Sequence, residues 1–463
     1  MGQPLIIGLD LGTTTAKAVA TDARGLVAAK ASAECALLKP EARAAEQRAE
    51  DVETAGIEAI AAVARQVDAD RVAALAVGGA MHSLLAIDEA DGAMGDAMIW
   101  ADQRAAEHAR QLREQVDPAE LCRETGCPVQ PTYHPARLRW WRQRNPDARP
   151  AMFVALRDWL VLRLTGQWAT DTALASATGL LNIHEGGWHA PALDAAGIDA
   201  SQLPPLQPVG ASAGQLTREA ASSLGLPAGL PVILAGTDGA LANLGAGAFH
   251  PGEIVISVGT SGAVRTVTRE PRIDDAGRTW CYVMLPDRYL VGGAINNGGL
   301  AVQWLRDTAY ADLDDDAAYR LIFEDAAAID PGADGVIVVP YFTGERSPHW
   351  PADATAMIQG LRLSHDRARL ARGTLEGVAF CLADVWDAVH AIAGIDARPR
   401  LTGRITTQPA WAQIVADVLG SDLDLIEAAD ASPLGAAMVG HRALGHVDRL
   451  DDLPIPAADT TVA

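Results

Sequence analysis

The chain is 463 residues long, more than one hydrophobic core usually supports, so two domains of roughly 200 to 250 residues are expected. Its 37 basic and 59 acidic residues leave a formal charge of −22, which disfavours a partner with a phosphate backbone because nothing offsets the repulsion. Hydrophobic residues make up 49% of the chain, enough for a large core, yet no uninterrupted apolar run is long enough for a bilayer, so neither nucleic acid nor membrane is an expected partner.

The first apolar run, Leu5-Ile6-Ile7-Gly8-Leu9-Asp10-Leu11, reads as a buried strand and leads into Gly12-Thr13-Thr14-Thr15. Glycine lets the backbone turn sharply and approach an anion, and the amides and hydroxyls that follow are donors for phosphate oxygens. Asp10 in the strand and Lys17 beyond the turn add a carboxylate suited to hydrated Mg2+ and a cation suited to phosphate. Gly8-Leu9-Asp10 also breaks the only N-terminal apolar stretch, so no signal peptide is read and a cytoplasmic location is expected. Asp22-Ala23-Arg24-Gly25 marks a hairpin turn. Residues 46–68 read as a helix, with Ile57, Ile60, Ala61 and Val63 near the 3.6 period, and residues 72–77 as the next strand, ended by Gly78-Gly79. This order predicts an α/β fold with a mixed sheet.

Arg137, Arg139, Arg142 and Arg144 cluster around two tryptophans, and a surface helix with a packed aromatic face is the expectation there. Cys35, Cys122, Cys127, Cys281 and Cys381 form an odd set without C-x-x-C, which predicts buried thiols rather than disulfides or zinc ligands.

Residues 231–235 form another apolar strand, leading into Gly236-Thr237-Asp238-Gly239, where Asp238 is placed either to cap the following helix or to act on a ligand. Gly247-Ala248-Phe249-His250-Pro251-Gly252 breaks regular structure, which sets a boundary between domains 1–248 and 249–463. Residues 253–258 then run into Gly259-Thr260-Ser261-Gly262, a second glycine-hydroxyl turn without acid or base. Its spacing from Gly12, about half the chain, fits one domain duplicated with divergence and two phosphate loops facing one cleft. Neither turn fits the G-x-x-x-x-G-K-[ST] pattern. Beyond it, residues 289–293 and 335–340 read as buried strands, 300–307 and 368–392 as helices, 400–402 as a strand, and the end from about residue 456 as a frayed tail.

These motifs together resemble the FGGY carbohydrate kinases, over essentially the whole length, and most of all their gluconokinase branch. The residues that carry the resemblance are Gly8 to Lys17, Met81-His82-Ser83, Trp100-Ala101-Asp102-Gln103-Arg104, Gly236-Thr237-Asp238-Gly239, Gly259-Thr260-Ser261-Gly262, Gly292 to Gly299 and Gly344-Glu345-Arg346-Ser347-Pro348. Gly360-Leu361 through Thr374-Leu375-Glu376-Gly377 is close to the family's second signature. The resemblance implies two actin-like ATPase (ribonuclease H-like) domains with mixed sheets and an interdomain cleft, in which the γ-phosphoryl of ATP passes to a sugar hydroxyl with Mg2+. Asp238 would be the catalytic base, and with Asp10 would hold the metal. Thr13, Thr14, Thr15 and Lys17 would surround the transferred phosphate, with Gly259 and Thr260 gripping it from the other domain and Gly298, Gln303, Gly403 and Arg404 on the nucleotide. Met81, His82, Trp100, Asp102, Arg104 and Asp238 would bind the sugar, and either Arg104 or Arg346 would pair a gluconate carboxylate, unless Arg346 braces the hinge. Cys281-Tyr282 and Asn296-Asn297-Gly298-Gly299 favour D-gluconate as substrate, with D-xylulose or another pentulose as the alternative and a non-catalytic sugar or nucleotide sensor behind both. A homodimer is compatible with the sequence.

Two positions depart from the family pattern. Arg404, in Leu401-Thr402-Gly403-Arg404-Ile405-Thr406-Thr407, fills a glycine position beside the expected adenosine pocket, and its guanidinium would either narrow that pocket, stack on the purine or reach a phosphate. Arg137 stands where the first family signature has lysine.

Overall fold

Strand β1 (Leu5–Leu11) is buried at every position, as its largely apolar composition requires of a central strand. It pairs antiparallel with β2 (Thr15–Thr21) through the Gly12 turn, and β2 pairs in turn with β3 (Val27–Glu34). Helix α1 (Ala49–Ala64) then returns the chain to β4 (Val72–Gly79), parallel to β1. A helical insertion includes α2 (His134–Arg144), after which β5 (Ser212–Gln215), β6 (Pro231–Thr237) and α3 (Asp238–Gly245) complete the first half. The sheet order is β5-β6-β4-β1-β2-β3. These elements come from a computed structural model, described over residues 3–350, 353–394, 398–426, 430–449, 452 and 458–463.

The second half repeats the plan with β7 (Ile254–Val258), β8 (Gly262–Thr268), β9 (Trp280–Leu285), β10 (Arg288–Ile295), helices α4 (Gly299–Thr308) and α5 (Arg367–Ala393), β11 (Arg400–Gly403), β12 (Leu423–Ile426), helix α6 (Ala431–Ala443) and β13 (Thr460–Val462). Its order is β9-β10-β8-β7-β11-β12-β13. From β10 to β13 the neighbours run antiparallel, antiparallel, parallel, parallel, antiparallel, the same series as from β3 to β5. The Gly12 and Gly259 turns therefore occupy equivalent places, each closing the hairpin at the centre of its sheet.

The halves are joined by more than the linker. From β9, the Cys281 amide donates to Gly126 O at 2.8 Å, the Val283 amide to Ser176 Oγ at 2.9 Å, and the Tyr282 hydroxyl meets that of Tyr133 at 2.7 Å. Helix α6 lies on the first sheet although it follows the second in the chain. A Cβ on Gly8 would stand 2.2 Å from Pro433 O, and one on Gly245 would stand 1.9 Å from Ala431 O, so α6 packs backbone to backbone on β1 and α3.

Three expectations change. The apolar run 335–340 gives only a three-residue strand, Ile337–Val339, paired with Met357–Gln359 outside the main sheet. Val336 and Val338 are buried while Ile337 is 57% exposed, so one face alone is covered. The expected frayed tail instead adds β13 to the edge of β12, while residues 456 and 457 lie outside the described residues. Arg137, expected on a helix surface, is fully buried. The five cysteines are buried free thiols, as read. Among the described residues no helix is long and apolar enough to cross a membrane.

Candidate active site

The β1–β2 hairpin sets Asp10 directly opposite Lys17, so both project from one face of the sheet. A Cβ on Gly12 would lie 2.8 Å from Thr15 O, which explains glycine at this tight turn. Gln47 Nε2 donates to Thr13 O at 2.8 Å and the Cys35 amide to Thr14 O at 3.0 Å, fixing the turn without using the hydroxyls of Thr13, Thr14 or Thr15. Asp10 is buried, and its Oδ1 has no hydrogen-bond partner. Burial, and next the charge of Asp238, push its carboxyl up to about 7, against Lys17 and a hydrogen bond from Ser432.

Asp238 opens α3 directly after β6, where the helix dipole favours an acid. Its Oδ1 accepts the Gly239 amide at 2.7 Å. Burial raises its pKa most, opposed by the amides of Gly239 and Met81 and by the guanidinium groups of Arg265 and Arg346. Asp10 and Asp238 are thus two acids of one desolvated site. Among the described residues no group of three or more acids, histidines or cysteines is arranged to hold a metal.

Between the halves lies a cavity of about 230 Å3. Met81, His82, Trp100, Asp238 and Gly239 line it from the first half, and from the second Ser257, Gly259, Arg265, Trp280, Tyr282 and Arg346 among others. His82 has a φ of 67° and donates a hydrogen bond from Nδ1 to Ala177 O at 2.8 Å, with its ring edge-on to Tyr133 at 5.3 Å. Burial, then Arg137 and His134, hold its pKa well below the usual imidazole range, so it is neutral. Arg346 lies over the Trp100 ring at 4.8 Å.

Asp102 and Arg104 do not reach this cavity, which corrects their expected role on the sugar. Asp102 is 0% exposed and accepts the Ala45 amide at 3.0 Å, the Arg104 amide at 3.0 Å and the Arg104 guanidinium at 2.6 Å. Arg104 also pairs with Glu46 and stacks on Trp140 at 4.4 Å. Their charges are spent on each other and on the loop that carries Trp100. Arg137 braces the same loop: it donates to the carbonyls of Pro131 (3.1 Å), Ile99 (2.6 Å), Asp102 (3.3 Å) and His82. Carbonyl acceptors arranged as a fan suit a planar guanidinium better than a lysine ammonium.

On the other side, the Gly298 amide donates to Thr260 O at 3.1 Å, the Gly299 amide to Gly259 O at 2.7 Å, and the Leu300 amide to Thr260 O at 3.1 Å. The start of α4 is therefore spent on the Gly259 turn, so Gly298 buttresses that turn rather than offering its amide to phosphate. A Cβ on Gly298 would stand 2.8 Å from Ser261 O. Gln303 is exposed one turn further along α4. Gly403 has a φ of 94°, and a Cβ there would meet Val258 O at 2.4 Å, so it too is fixed by close packing at the end of β7. Arg404 is exposed, while Thr406 and Thr407 turn their hydroxyls back onto the carbonyls of Gly403 and Arg404, each at 2.8 Å.

The profile of the N-terminal domain of the FGGY family of carbohydrate kinases matches residues 5–245, and that of its C-terminal domain residues 254–444. The chain belongs to the FGGY family of carbohydrate kinases. It is 32% identical over 456 residues to a gluconokinase of Bacillus licheniformis, covering 96% of this chain and 89% of that one. A gluconate kinase structure from Lactobacillus acidophilus superposes with a TM-score of 0.92 at 27% identity, covering 100% of this chain and 94% of that one. A ligand-bound xylulose kinase from the same organism gives 0.92 and 27%, covering 99% and 93%. The fold is that of two actin-like ATPase domains, and FGGY kinases use ATP.

In this FGGY kinase the sequence reading missed Arg265 and Trp280, and had Tyr282 only as a mark of the gluconokinase branch and not as a residue lining the site. Arg265 carried a signal: β8 is buried at all seven positions, and an arginine inside such a strand needs a polar reason to be there. Its Nε donates to Asn243 Oδ1 at 3.1 Å and one terminal nitrogen to Ser257 Oγ at 2.8 Å. Burial pushes its pKa down to about 10, so it stays charged at neutral pH. Trp280 stacks on Tyr282 at 4.2 Å to form an aromatic wall, a pairing no local pattern announces.

Proposed function

We propose that this kinase transfers the γ-phosphoryl of ATP to the terminal hydroxyl of D-gluconate, giving 6-phospho-D-gluconate and ADP. The observation that carries this reading is the cavity: a half-buried carboxylate at a helix start, imidazole and aromatic groups beside it, and two guanidinium groups from the second half. The full-length likeness to a gluconokinase supports the choice of sugar acid.

In this reading residues 1–248 carry the sugar and the base, and residues 249–463 the nucleotide. Met81, His82 and Trp100 orient the sugar. Asp238 accepts the proton as the hydroxyl oxygen bonds to the γ-phosphorus and the bond to the ADP oxygen breaks. Thr13, Thr14, Thr15 and Lys17 hold the transferred group from one side and Gly259 and Thr260 from the other. Gln303, Gly403 and Arg404 face the nucleoside. Asp10, with an unsatisfied buried oxygen beside the second acid Asp238, fits a hydrated Mg2+, which would offset charge on the polyphosphate. Two carboxylates are enough there, since Mg2+ keeps several waters and takes phosphate oxygens as ligands. Closure of the domains excludes water. The five free thiols support a reducing cytoplasm as the working compartment, and the exposed Ile337 and Met357 of the short ribbon favour a homodimer, which sedimentation tests.

A pentulose kinase is the second reading, favoured by the equal TM-score of the xylulose kinase. The deciding experiment is coupled ADP release with ATP and Mg2+ across gluconate, D-xylulose, L-ribulose and glycerol. Turnover on gluconate above the others is expected. Preference for D-xylulose with no turnover of gluconate refutes the assignment.

A further inference from the structure

The charges around the cavity are divided between the halves. The first half contributes Asp238 with the apolar Met81, the His82 imidazole and the Trp100 indole, and both guanidinium groups come from the second. Arg104, the remaining arginine considered for a substrate carboxylate, is held by Asp102 and Glu46.

The place of Arg265 is built for an arginine. Arg265 faces Gly292 across β8 and β10, and a Cβ on Gly292 would lie 2.9 Å from Arg265 Cγ and 2.8 Å from Trp280 Cη2. The missing side chain lets the arginine stem and the indole lie side by side. The Asn243 and Ser257 oxygens that hold the guanidinium are neutral, and its second terminal nitrogen stands 3.6 Å from where a Cβ on Gly239 would be, beside the base. Arg346 donates to Ile295 O at 3.1 Å, and its buried Nε has no partner. Its neighbour Glu345 is occupied by the amides of Asn296 and Arg346 and by the Asn297 side chain.

Among the described residues no carboxylate forms an ion pair with Arg265 or Arg346, whereas the half-buried Arg104 and the buried Arg157 each hold acids and the buried Arg137 is filled by four backbone carbonyls. Desolvated cations without a hydrogen-bonded counter-ion are costly unless a ligand supplies one. We propose that Arg265 and Arg346 bind the carboxylate of the substrate, so that the second domain decides between an aldonic acid and a neutral sugar. The acid then bridges the halves, its hydroxyl at Asp238 and its charge on the guanidinium groups of the second half. A neutral sugar fills the same space and leaves both guanidinium groups without a hydrogen-bonded acid. This inference rests on the gluconate reading and deepens it.

The test compares D-gluconate with D-gluconamide, which replaces the carboxylate by a neutral amide of nearly the same shape. The wild-type protein is expected to favour gluconate by roughly 100-fold in kcat/KM, as for sites built around a charge-assisted hydrogen bond. Arg265→Met and Arg346→Met should each lower that ratio at least tenfold, with Arg265→Lys and Arg346→Lys between. A wild-type ratio near one overturns the inference and leaves the gluconate reading standing, and needs no variant to fold. Equal losses on both substrates in the Met variants also overturn it, because the arginines would then serve the phosphoryl group. A wild type that ignores gluconate and phosphorylates D-xylulose overturns both.

Discussion

Replacing Arg137 by methionine tests whether the sugar side is held together from within. The guanidinium is 0% exposed and satisfies four backbone carbonyls, at Pro131, His82, Ile99 and Asp102. Methionine fills much of the volume and offers no donor, so the carbonyls of Pro131, His82 and Asp102 lose their partner in a site closed to water, while Ile99 O keeps the Asp102 amide at 3.0 Å. Each orphaned buried acceptor costs about 1–3 kcal/mol, and with partial relaxation the sum is roughly 3–5 kcal/mol. For a domain of this size that lowers the unfolding midpoint by on the order of 10 °C. Two of the four carbonyls belong to His82 and to Ile99, the neighbour of Trp100, so the KM for the sugar should rise about tenfold while that for ATP stays within twofold. Differential scanning fluorimetry and initial rates at saturating cosubstrate give both readings. A midpoint within about 2 °C of wild type together with an unchanged sugar KM would refute the bracing role.

Asp238→Ala should reduce kcat by at least 1,000-fold, on the order expected for loss of a general base, and leave gluconate affinity by calorimetry within a few-fold; near-normal turnover removes Asp238 from that role. Gly8→Ala should fail to fold or lose most of its stability, since its Cβ would meet Pro433 O at 2.2 Å and Ala437 N at 2.5 Å. Gly259→Ala, with nothing within 4 Å of the added atom, should keep the wild-type midpoint and raise the KM for ATP. Without Mg2+, the Asp10 carboxyl titrates near 7 in the folded protein and at 3.8 when unfolded, so its charging opposes folding increasingly as pH rises between those values. Asp10→Asn should therefore match the wild-type midpoint below pH 4, exceed it by a growing margin up to about pH 7 and hold that margin above; a constant difference across the range contradicts the assigned burial.

The strands ending in Gly12, Asp238 and Gly259 were legible because each is a local pattern, an apolar run followed by a turn whose chemistry needs glycine or a hydroxyl. Their equivalence in two sheets followed from the repeat. The roles of Asp102 and Arg104 were not legible. The partners that occupy them, Ala45 and Glu46 on one side and Trp140 on the other, lie about forty to sixty residues away along the chain, and a charged pair looks the same in sequence whether it faces ligand or itself. The C-terminal strand was missed for a related reason: Thr460–Val462 is ordered by the open edge of β12, not by its own composition.

The sequence by itself determined two domains of one plan, the two glycine turns, the acids Asp10 and Asp238, and the family, since all of these are written in short stretches of chain. Only the tertiary structure decided which charges face the cleft. It returned α6 to the first sheet, spent Arg104 and Arg137 on the scaffold, and brought Arg265 from the second sheet against Asn243 of the first domain and beside Asp238. Such choices depend on which distant groups are left unpaired once the cores have closed, and that is settled by packing rather than by any local pattern.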